Sequence, residues 1–167
     1  MAESNRDRIN PSLLDRLTDE GPGAPGRGAS TTVSELRKNV LRDLAWLFNT
    51  TRAFGPDETD ARPQVRNSVL NYGLPPLSGL SASALDIRAL ERSLRQAIVD
   101  FEPRILPDSV SVKAGLESDT VDHHNVISFH IEALLWAQPV PIELLLRTQF
   151  DLESGQSRVE ETAPGRR

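Results

Sequence analysis

The longest regular pattern in this chain of 167 residues is an alternation of apolar and polar side chains near its carboxyl end. Between Val140 and Leu152, a residue that suits a protein core recurs at every second position. The inner members of this set are Ile142, Leu144, Leu146, Thr148 and Phe150. Successive side chains of a β-strand point to opposite faces, so a period of two predicts a long strand with one buried face.

Two shorter alternations precede this strand, from Val110 to Ala114 and from Ile127 to Ala133. Three consecutive strands joined by short polar turns predict an antiparallel meander. Pro139 and Pro141 flank the start of the last strand. Because proline cannot donate to a hydrogen-bonded ladder, they favour an edge position for this strand. The alternative is a central core strand.

Two segments before the strands have the period of amphipathic helices. The first runs to about Phe48, with Thr32 or Ser34 as its cap and Asn49 as its stop. The second runs from roughly Ser83 to Phe101. Its predicted buried stripe consists of Ile87, Leu90, Leu94, Ile98 and Phe101. Together these patterns predict an α+β fold, in which two amphipathic helices cover an antiparallel sheet of three to four strands.

The two ends of the chain differ in composition from its middle. Residues 1–30 hold a short helical segment at 11–19, followed by the Gly- and Pro-rich stretch GPGAPGRGAS at 21–30. That stretch predicts a flexible linker. We expect residues 31–155 to form one compact domain and residues 156–167 to be a loose tail.

Composition and charge exclude several classes of protein. A formal net charge of -5 argues against general nucleic-acid binding, which needs a basic surface. There is no cysteine to form a disulfide or a thiolate metal site. No apolar run reaches transmembrane length, and the first residues, MAESNRDRIN, lack the pattern of a secretory signal. We therefore expect a cytoplasmic protein that does not insert into a membrane.

Glu102, Pro103 and Arg104 form the most distinctive short motif. Pro103 should end the preceding helix, because the residue before a proline is biased away from helical angles. Two opposite charges on either side of a rigid proline can be presented to a partner through charge-assisted hydrogen bonds. The alternative is a local ion pair at a helix end, which contributes about 0.5 kcal/mol when exposed.

Glycoside hydrolysis finds little support in the distribution of acidic residues. It needs two carboxylates about 5 to 9.5 Å apart, one of which must hold a proton. Glu102 lies beside Arg104, which favours the ionised carboxylate. The other candidate acids occur around predicted turns and include Asp108, Glu117, Asp119 and Asp122. We predict no catalytic residues.

The three histidines do not form a convincing metal site. His124 and His130 would lie roughly 20 Å apart along an extended strand, too far for one ion to bridge. We interpret both residues, and His123, as ordinary turn and strand residues. We predict no metal and no cofactor.

Four segments in series resemble the TssE family of type VI secretion baseplate subunits. They are PSLLDRLTD, VLRDLAWLFNTTR, SVLNYGLPPLSG and FEPRI, in that order along the chain. The family is related to the small wedge protein of contractile-phage baseplates and is often labelled lysozyme-like. One departure is an extra threonine in Asn49-Thr50-Thr51-Arg52, where the family commonly has Asn-Thr-Arg.

The resemblance implies a structural role in the cytoplasmic baseplate assembled at the inner membrane, beside the subunits TssF and TssG. It implies that Glu102, Pro103 and Arg104 anchor the protein to this wedge. It also implies a sheet like that of the sheath proteins TssB and TssC, to which the first sheath ring attaches. The strand from Ile142 to Phe150 is the predicted sheath contact. The alternatives are a regulatory module of the anti-adaptor type with the same fold and, with less support, a peptidoglycan hydrolase.

Overall fold

The computed structural model describes residues 32–77, 86–115, 126–137 and 139–162. The predicted amino-terminal helix and linker, His123 and His124 lie outside the described residues, as does the predicted start of the second helix near Ser83. No helix in the described part of the chain has both the length and the apolarity to cross a bilayer.

Helix α1 spans Val33–Phe48 and begins with a capping box. The side chain of Thr32 accepts from the backbone N–H of Glu35, whose carboxylate accepts from the N–H of Thr32. The face toward the sheet is formed by Leu36, Val40, Leu44, Leu47 and Phe48. Asn49 is the carboxyl-terminal cap, so both predicted limits of this helix are confirmed.

A polar connection with short helical turns follows α1. It contains α2 (Pro56–Asp60), α3 (Pro63–Arg66) and a 3₁₀ turn (Val69–Asn71). The connection then returns to the end of α1, where Thr51 and Leu74 form a short parallel bridge. Gly73 has φ 118°, and a Cβ atom there would clash with the backbone of Thr50. Glycine is therefore needed for this close approach.

Helix α4 spans Ile87–Phe101. The side chain of Asp86 accepts from the N–H of Ala89 and so caps its start. The fully buried residues of the helix are Leu90, Leu94, Ala97 and Ile98. Ile87, predicted as part of this buried stripe, is 40% exposed because it lies in the first turn, and this detail of the prediction is wrong. A 3₁₀ turn at Pro107–Ser109 leads from α4 into the sheet.

The sheet has four antiparallel strands in the order β1-β2-β3-β4. Their bounds are Ser111–Ala114 for β1, Val126–Leu135 for β2, Ile142–Asp151 for β3 and Ser157–Glu161 for β4. The predicted α+β class with an antiparallel meander is confirmed.

The core lies between the inner face of the sheet and the two long helices. Phe150 on β3 is its centre, with ring centroids 5.9 Å from Phe129 and 6.0 Å from Phe48. Helix α1 packs along β4, and α4 packs along β1. Each long helix therefore lies against one edge strand, which places its polar side chains beside that edge.

Two predictions about the end of the chain are wrong. Strand β3 is paired on both sides and is central, because the chain turns at Gly155 and adds β4 beside it. Residues 157–161, predicted as part of a loose tail, form that strand. The alternation in SRVEE is short and carries only one large apolar residue, Val159, so the sequence contains little strand signal there.

Candidate partner-binding site

The Glu102-Pro103-Arg104 corner is a tight turn that directly follows α4. The N–H of Glu102 still donates to Ile98, and the N–H of Ile105 donates back to the carbonyl of Glu102 at 3.1 Å. Pro103, which lies between them, is exposed. The turn therefore projects the proline outward and brings residues 102 and 104 back onto the same side of the chain.

The carboxylate of Glu102 accepts a bidentate interaction from Arg104. Its Oε1 is 2.7 Å from Nε of Arg104, and its Oε2 is 2.5 Å from Nη2. It also accepts from the backbone N–H of Arg104 at 3.1 Å. Parallel charge-assisted bonds of this kind hold a guanidinium in one orientation.

Helix α1 supplies the rest of the ion-pair cluster. Asp43 Oδ2 lies 2.5 Å from Nη2 of Arg104, and Asp43 Oδ1 lies 2.9 Å from Nε of Arg42. Two arginines and two carboxylates therefore alternate in one network, which we call the corner cluster and define as Arg42, Asp43, Glu102 and Arg104. It ties the middle of α1 to the end of α4.

The corner cluster is largely internal. Glu102 is only 3% exposed, and the side chain of Arg104 is 23% exposed. The interpretation in which both charges face a partner is therefore wrong for Glu102. Its carboxylate is used within the fold, because burying it unpaired would be unfavourable. What reaches the surface at this corner is Pro103 and part of Arg104.

The surrounding charges and burial shift two pKa values. Burial alone would lower the pKa of Arg104, but hydrogen bonds and charge from Glu102 and then Asp43 outweigh burial and raise it. Burial, followed by the charges of Asp43 and Glu102, raises the pKa of Tyr72. The phenol of Tyr72 lies 3.4 Å from the carbonyl of Asp43, and its ring packs edge-on against Phe101. Tyr72 therefore closes one side of the cluster.

Both tryptophans of the chain lie next to the corner cluster and are half exposed. The backbone N–H of Trp136 donates to the carbonyl of Arg104 at 2.8 Å. The guanidinium of Arg42 lies over the ring of Trp46, 5.0 Å from its centroid. Exposed tryptophan beside arginine is typical of residues that dominate binding energy at protein interfaces.

The outer edge of β4 is a second surface with binding capacity. Hydrogen bonds from Thr162 to Leu145 and from Asp151 to Gln156 define which backbone groups of β4 face β3. Since these groups alternate along a strand, the N–H and C=O of Ser157, Val159 and Glu161 face away from the sheet. We call these three residues the β4 edge.

Asn49 occupies the first position of the β4 edge. Its Oδ1 accepts from the N–H of Ser157 at 2.7 Å, and its Nδ2 donates to the carbonyl of Ser157 at 3.0 Å. The same Nδ2 donates to the carbonyl of Ala45 within α1 at 2.8 Å. The outward backbone groups of Val159 and Glu161 bond to none of the residues that the structure describes.

The outer edge of β1 is closed more completely. Gly115 donates to Ser128, so by the same alternation the outward residues are Val110, Val112 and Ala114. Arg95 donates to the carbonyl of Val110 at 3.1 Å, and Glu91 accepts from the N–H of Ala114 at 2.7 Å. Both side chains come from α4. Within the described chain, Val112 alone keeps both outward groups unbonded at this edge.

Comparison with known proteins identifies the family. The family model described as baseplate wedge protein gp25 matches residues 34–140, which include nearly all of α1, the corner and the strands β1 and β2. The chain belongs to the gp25 baseplate wedge family. TssE belongs to the same family, so the resemblance found in the sequence is confirmed.

A second comparison connects this gp25-family chain to a regulator. The anti-adapter protein IraD of Salmonella arizonae (strain ATCC BAA-731 / CDC346-86 / RSK2980) is 32% identical over 136 residues. The match covers 80% of this chain and 86% of that protein. No solved structure matches the chain significantly.

The strand predicted as the sheath contact does not present its side chains to a partner. Leu144, Leu146, Thr148 and Phe150 are buried in the core, and Ile142 is half buried. In this gp25-family fold the outer strands of the sheet are β1 and β4, and β4 keeps more of its outward backbone groups unbonded within the described chain. Four of these five side chains lie in the interior of the fold, and Ile142 packs against it.

Sequence reasoning missed Asp43, Asn49 and the two tryptophans as members of the candidate sites. Asp43 contacts Arg104 across 61 positions of the chain, and Asn49 contacts Ser157 across 108. No local pattern encodes such contacts. A usable signal was Trp46, four residues after Arg42 on the polar side of an amphipathic helix, because tryptophan and arginine are enriched among residues that dominate binding energy.

The described residues contain no group of three or more potential metal ligands. His130 lies on the outer face of β2, opposite Lys113 on β1 and Arg147 on β3. Two cationic neighbours do not favour binding of a further cation at His130.

Proposed function

We propose that this protein is a structural baseplate subunit of a type VI secretion system, of the TssE kind. In this proposal it docks to the TssF–TssG wedge and provides the attachment point for a contractile sheath of TssB and TssC. The observation that carries the proposal is the corner cluster within a gp25-family domain, because it makes the Glu-Pro-Arg motif rigid before any partner binds.

Rigidity at the corner favours binding. An arginine held by three charge-assisted bonds loses little conformational freedom when a partner covers it. Two apolar residues lie next to Arg104: the exposed Pro103 precedes it in the chain, and the half-exposed Trp136 bonds to its carbonyl through the backbone. We infer that TssF and TssG pack on Pro103 and Trp136 and accept hydrogen bonds from the exposed part of Arg104.

Attachment of the sheath would use the sheet. A strand donated by a neighbouring protein gains backbone hydrogen bonds at an unpaired sheet edge, which is a general way of joining extended segments. The baseplate family of the chain and the position of β4 at one edge of the sheet support this second contact.

Co-purification tests the docking proposal. The protein is expressed with TssF and TssG from the same bacterium, as wild type and as Arg104→Ala, Trp136→Ala and Arg92→Ala. Arg92 is an exposed arginine on α4 and serves as the matched control. Loss of the complex with Arg104→Ala and a weaker complex with Trp136→Ala are expected, whereas Arg92→Ala should behave as wild type. Normal recovery of TssF and TssG by a folded Arg104→Ala variant would refute docking through the corner.

A regulatory binding module is the second candidate function. The match to an anti-adapter protein over 80% of this chain favours it, since the same fold then carries a regulatory role in at least one relative. Capture of partners from the native bacterium separates the two functions. TssF and TssG among the captured proteins support the baseplate role, and an adaptor of a proteolytic system in their place supports the regulatory one.

Neither candidate function is enzymatic, and the names of the family and of the relative are those of structural and regulatory proteins. The cavity of about 440 Å³ beside the end of α1 is lined by uncharged residues, including Asn49, Thr51 and Gln156. A cavity of this lining does not supply the two carboxylates that glycoside hydrolysis requires. A turbidity assay on purified peptidoglycan should show no clearing by the folded protein.

A further inference from the structure

We propose that residues 11–19 fold back onto an exposed apolar surface beside the end of α1 and cover it in the free protein. This surface consists of Trp46, Val69 and Leu70, and we call it the apolar patch. The inference goes beyond the proposed function, because it concerns a contact within this chain and needs no other subunit. It assigns one occupant to one surface.

The apolar patch presents three large side chains to solvent. Val69 is 82% exposed, Leu70 is 65% exposed and Trp46 is 50% exposed. Val69 and Leu70 are consecutive residues of the 3₁₀ turn that follows α3. The guanidinium of Arg42 lies over the ring of Trp46 at the border of the patch. Contiguous apolar surface with a polar border is typical of a contact site.

The turn that carries Val69 and Leu70 is held in its orientation by the side chain of Asn71, which is only 5% exposed. Its Nδ2 donates to the carbonyl of Arg66 at 3.2 Å, and its Oδ1 accepts from the N–H of Phe54 at 3.0 Å. Rotation of the turn toward the interior would break both bonds. The two apolar side chains are therefore covered only if another surface packs on them.

Trp46 lies beside the chain that leaves this turn. Asp43 and Trp46 are on one side of α1, since residues three apart are neighbours on a helix surface. The hydroxyl of Thr50 donates to the carbonyl of Trp46 at 2.7 Å and continues this side. The phenol of Tyr72 lies 3.4 Å from the carbonyl of Asp43. The N–H of Leu74 donates to the carbonyl of Thr50 at 2.8 Å, so the segment into which the turn leads passes Trp46.

Residues 11–19 supply an apolar stripe of matching size. This segment lies outside the described residues, and its sequence, PSLLDRLTD, has the pattern of a short amphipathic helix. Leu13, Leu14 and Leu17 fall on one side of such a helix, whereas Asp15 falls on the other. A helix of nine residues is too short to be stable alone in water, so its leucines need a surface on which to pack.

The length of chain between this segment and α1 suits a contact at the apolar patch. Residues 20–32 connect the two and are rich in Gly and Pro. A flexible connection of this length has an average end-to-end distance of about 20 Å. Trp46 lies about 20 Å along α1 from its first residue, Val33. Because the effective concentration of a tethered segment is highest where its average reach matches the span, the connection favours this contact.

Val140 provides an internal control for reach. It is 68% exposed, about as open to solvent as Leu70, and lies in the turn between β2 and β3. Arg37 of α1 donates to the carbonyl of Glu143 at the start of β3, so this turn lies near the beginning of α1. A contact set by reach alone would include Val140, whereas a contact set by the apolar patch would not.

Disulfide trapping tests the contact, because the chain has no cysteine of its own. Two double variants of the full chain are compared, Leu14→Cys with Leu70→Cys and Leu14→Cys with Val140→Cys. Non-reducing electrophoresis and mass spectrometry follow disulfide formation in dilute protein under mild oxidation. We expect the variant with Leu70→Cys to form an intramolecular disulfide roughly tenfold faster than the variant with Val140→Cys.

The other outcomes of trapping overturn the inference. Equal rates in the two variants would mean that the segment has no preference for the apolar patch. Disulfide-linked dimers of the Leu70→Cys variant would mean that a second copy of the chain covers the patch.

The fluorescence of Trp46 gives a second test, in a Trp136→Phe background that leaves it as the single tryptophan. Leu17→Asp should shift its emission to longer wavelength and increase its quenching by acrylamide, because the ring loses apolar cover. Ser12→Asp adds the same charge on the polar side of the segment and should change neither property. Identical spectra for the two folded variants would show that residues 11–19 do not cover Trp46. Neither test involves a baseplate subunit, so failure of both would leave the proposed function intact.

Discussion

The corner cluster and the β4 edge use their polar groups in opposite ways. At the corner, the charged side chains of a recognisable motif form ion pairs within the fold, and Glu102 is almost fully buried. At the β4 edge, main-chain groups that carry no sequence motif remain unbonded within the described chain. A conspicuous motif can thus be used to hold two helices together, whereas unbonded polar groups can occur where the sequence has no motif.

The largest expected effect concerns the buried carboxylate of the corner. Glu102→Ala should lower the free energy of unfolding by about 3 kcal/mol, because it leaves a partly buried arginine with one carboxylate where it had two. Urea denaturation measures this change. Glu102→Gln keeps the shape of the side chain and one acceptor oxygen, so its free energy of unfolding should fall by less than that of Glu102→Ala. Equal stability of Glu102→Ala and the wild type would show that the cluster does not hold the corner.

Adjacent proline substitutions on β4 give the next largest effect. Glu160→Pro removes an N–H that faces Arg147 on β3, whereas Val159→Pro removes one that faces outward. We expect Glu160→Pro to lower the free energy of unfolding by about 2 to 3 kcal/mol and Val159→Pro to lower it by less than about 1 kcal/mol.

The measurement for this pair is again urea denaturation, with circular dichroism as the signal. Similar losses in both variants would mean that the outward groups of β4 already have partners within the protein. The corner cluster and the β4 edge would then no longer differ, because the polar groups of both would be bonded within the protein.

A smaller effect is expected from substitution of Asn49, which bonds to the backbone of Ser157. Asn49→Ala removes two bonds to Ser157 and one to Ala45, all near the surface, so the free energy of unfolding should fall by about 1 to 2 kcal/mol. Asn49→Asp keeps the acceptor for the N–H of Ser157 but loses both donated bonds. Its free energy of unfolding should lie between those of Asn49→Ala and the wild type. A loss in Asn49→Asp larger than that in Asn49→Ala would contradict this order.

The sequence predicted the parts of this fold that depend on local periodicity. The limits of α1 followed from Thr32, Asn49 and the helical spacing between them, and β3 followed from its long alternation. The position of β3 within the sheet did not follow, because Pro139 and Pro141 lie in the preceding turn and say nothing about what pairs with its far end. That pairing depends on the tight turn at Gly155 and on a short strand of mostly polar residues.

The candidate sites were predictable only in part for a similar reason. Glu102, Pro103 and Arg104 were found as a motif, but their exposure depends on Asp43, which a different helix brings to Arg104. Burial of a charge follows from tertiary contacts that have no signature in either segment alone. The same holds for Asn49, which was predicted as a helix stop and also bonds to β4.

The smallest expected effect concerns Tyr72, whose phenol lies beside the corner cluster. Its titration changes the stability of the protein only at alkaline pH. Burial and the charges of Asp43 and Glu102 raise its pKa above the ordinary value of 10.0, so the folded state favours the protonated phenol. Its contribution to stability is complete below the pKa of the unfolded chain. It is lost as the pH rises through the folded pKa, because the unfolded state releases the proton first.

Tyr72 is the only tyrosine of the chain, so tyrosinate absorbance reports on it alone. We expect the absorbance of the folded protein to titrate above pH 10.0 and that of the urea-unfolded protein to titrate near it. Tyr72→Phe keeps the packing on Phe101 and should retain more stability than the wild type at alkaline pH. Coincident titration curves for the folded and unfolded protein would show that Tyr72 does not sense the cluster, and would place the carboxylates of Asp43 and Glu102 in contact with solvent rather than with the interior of the corner.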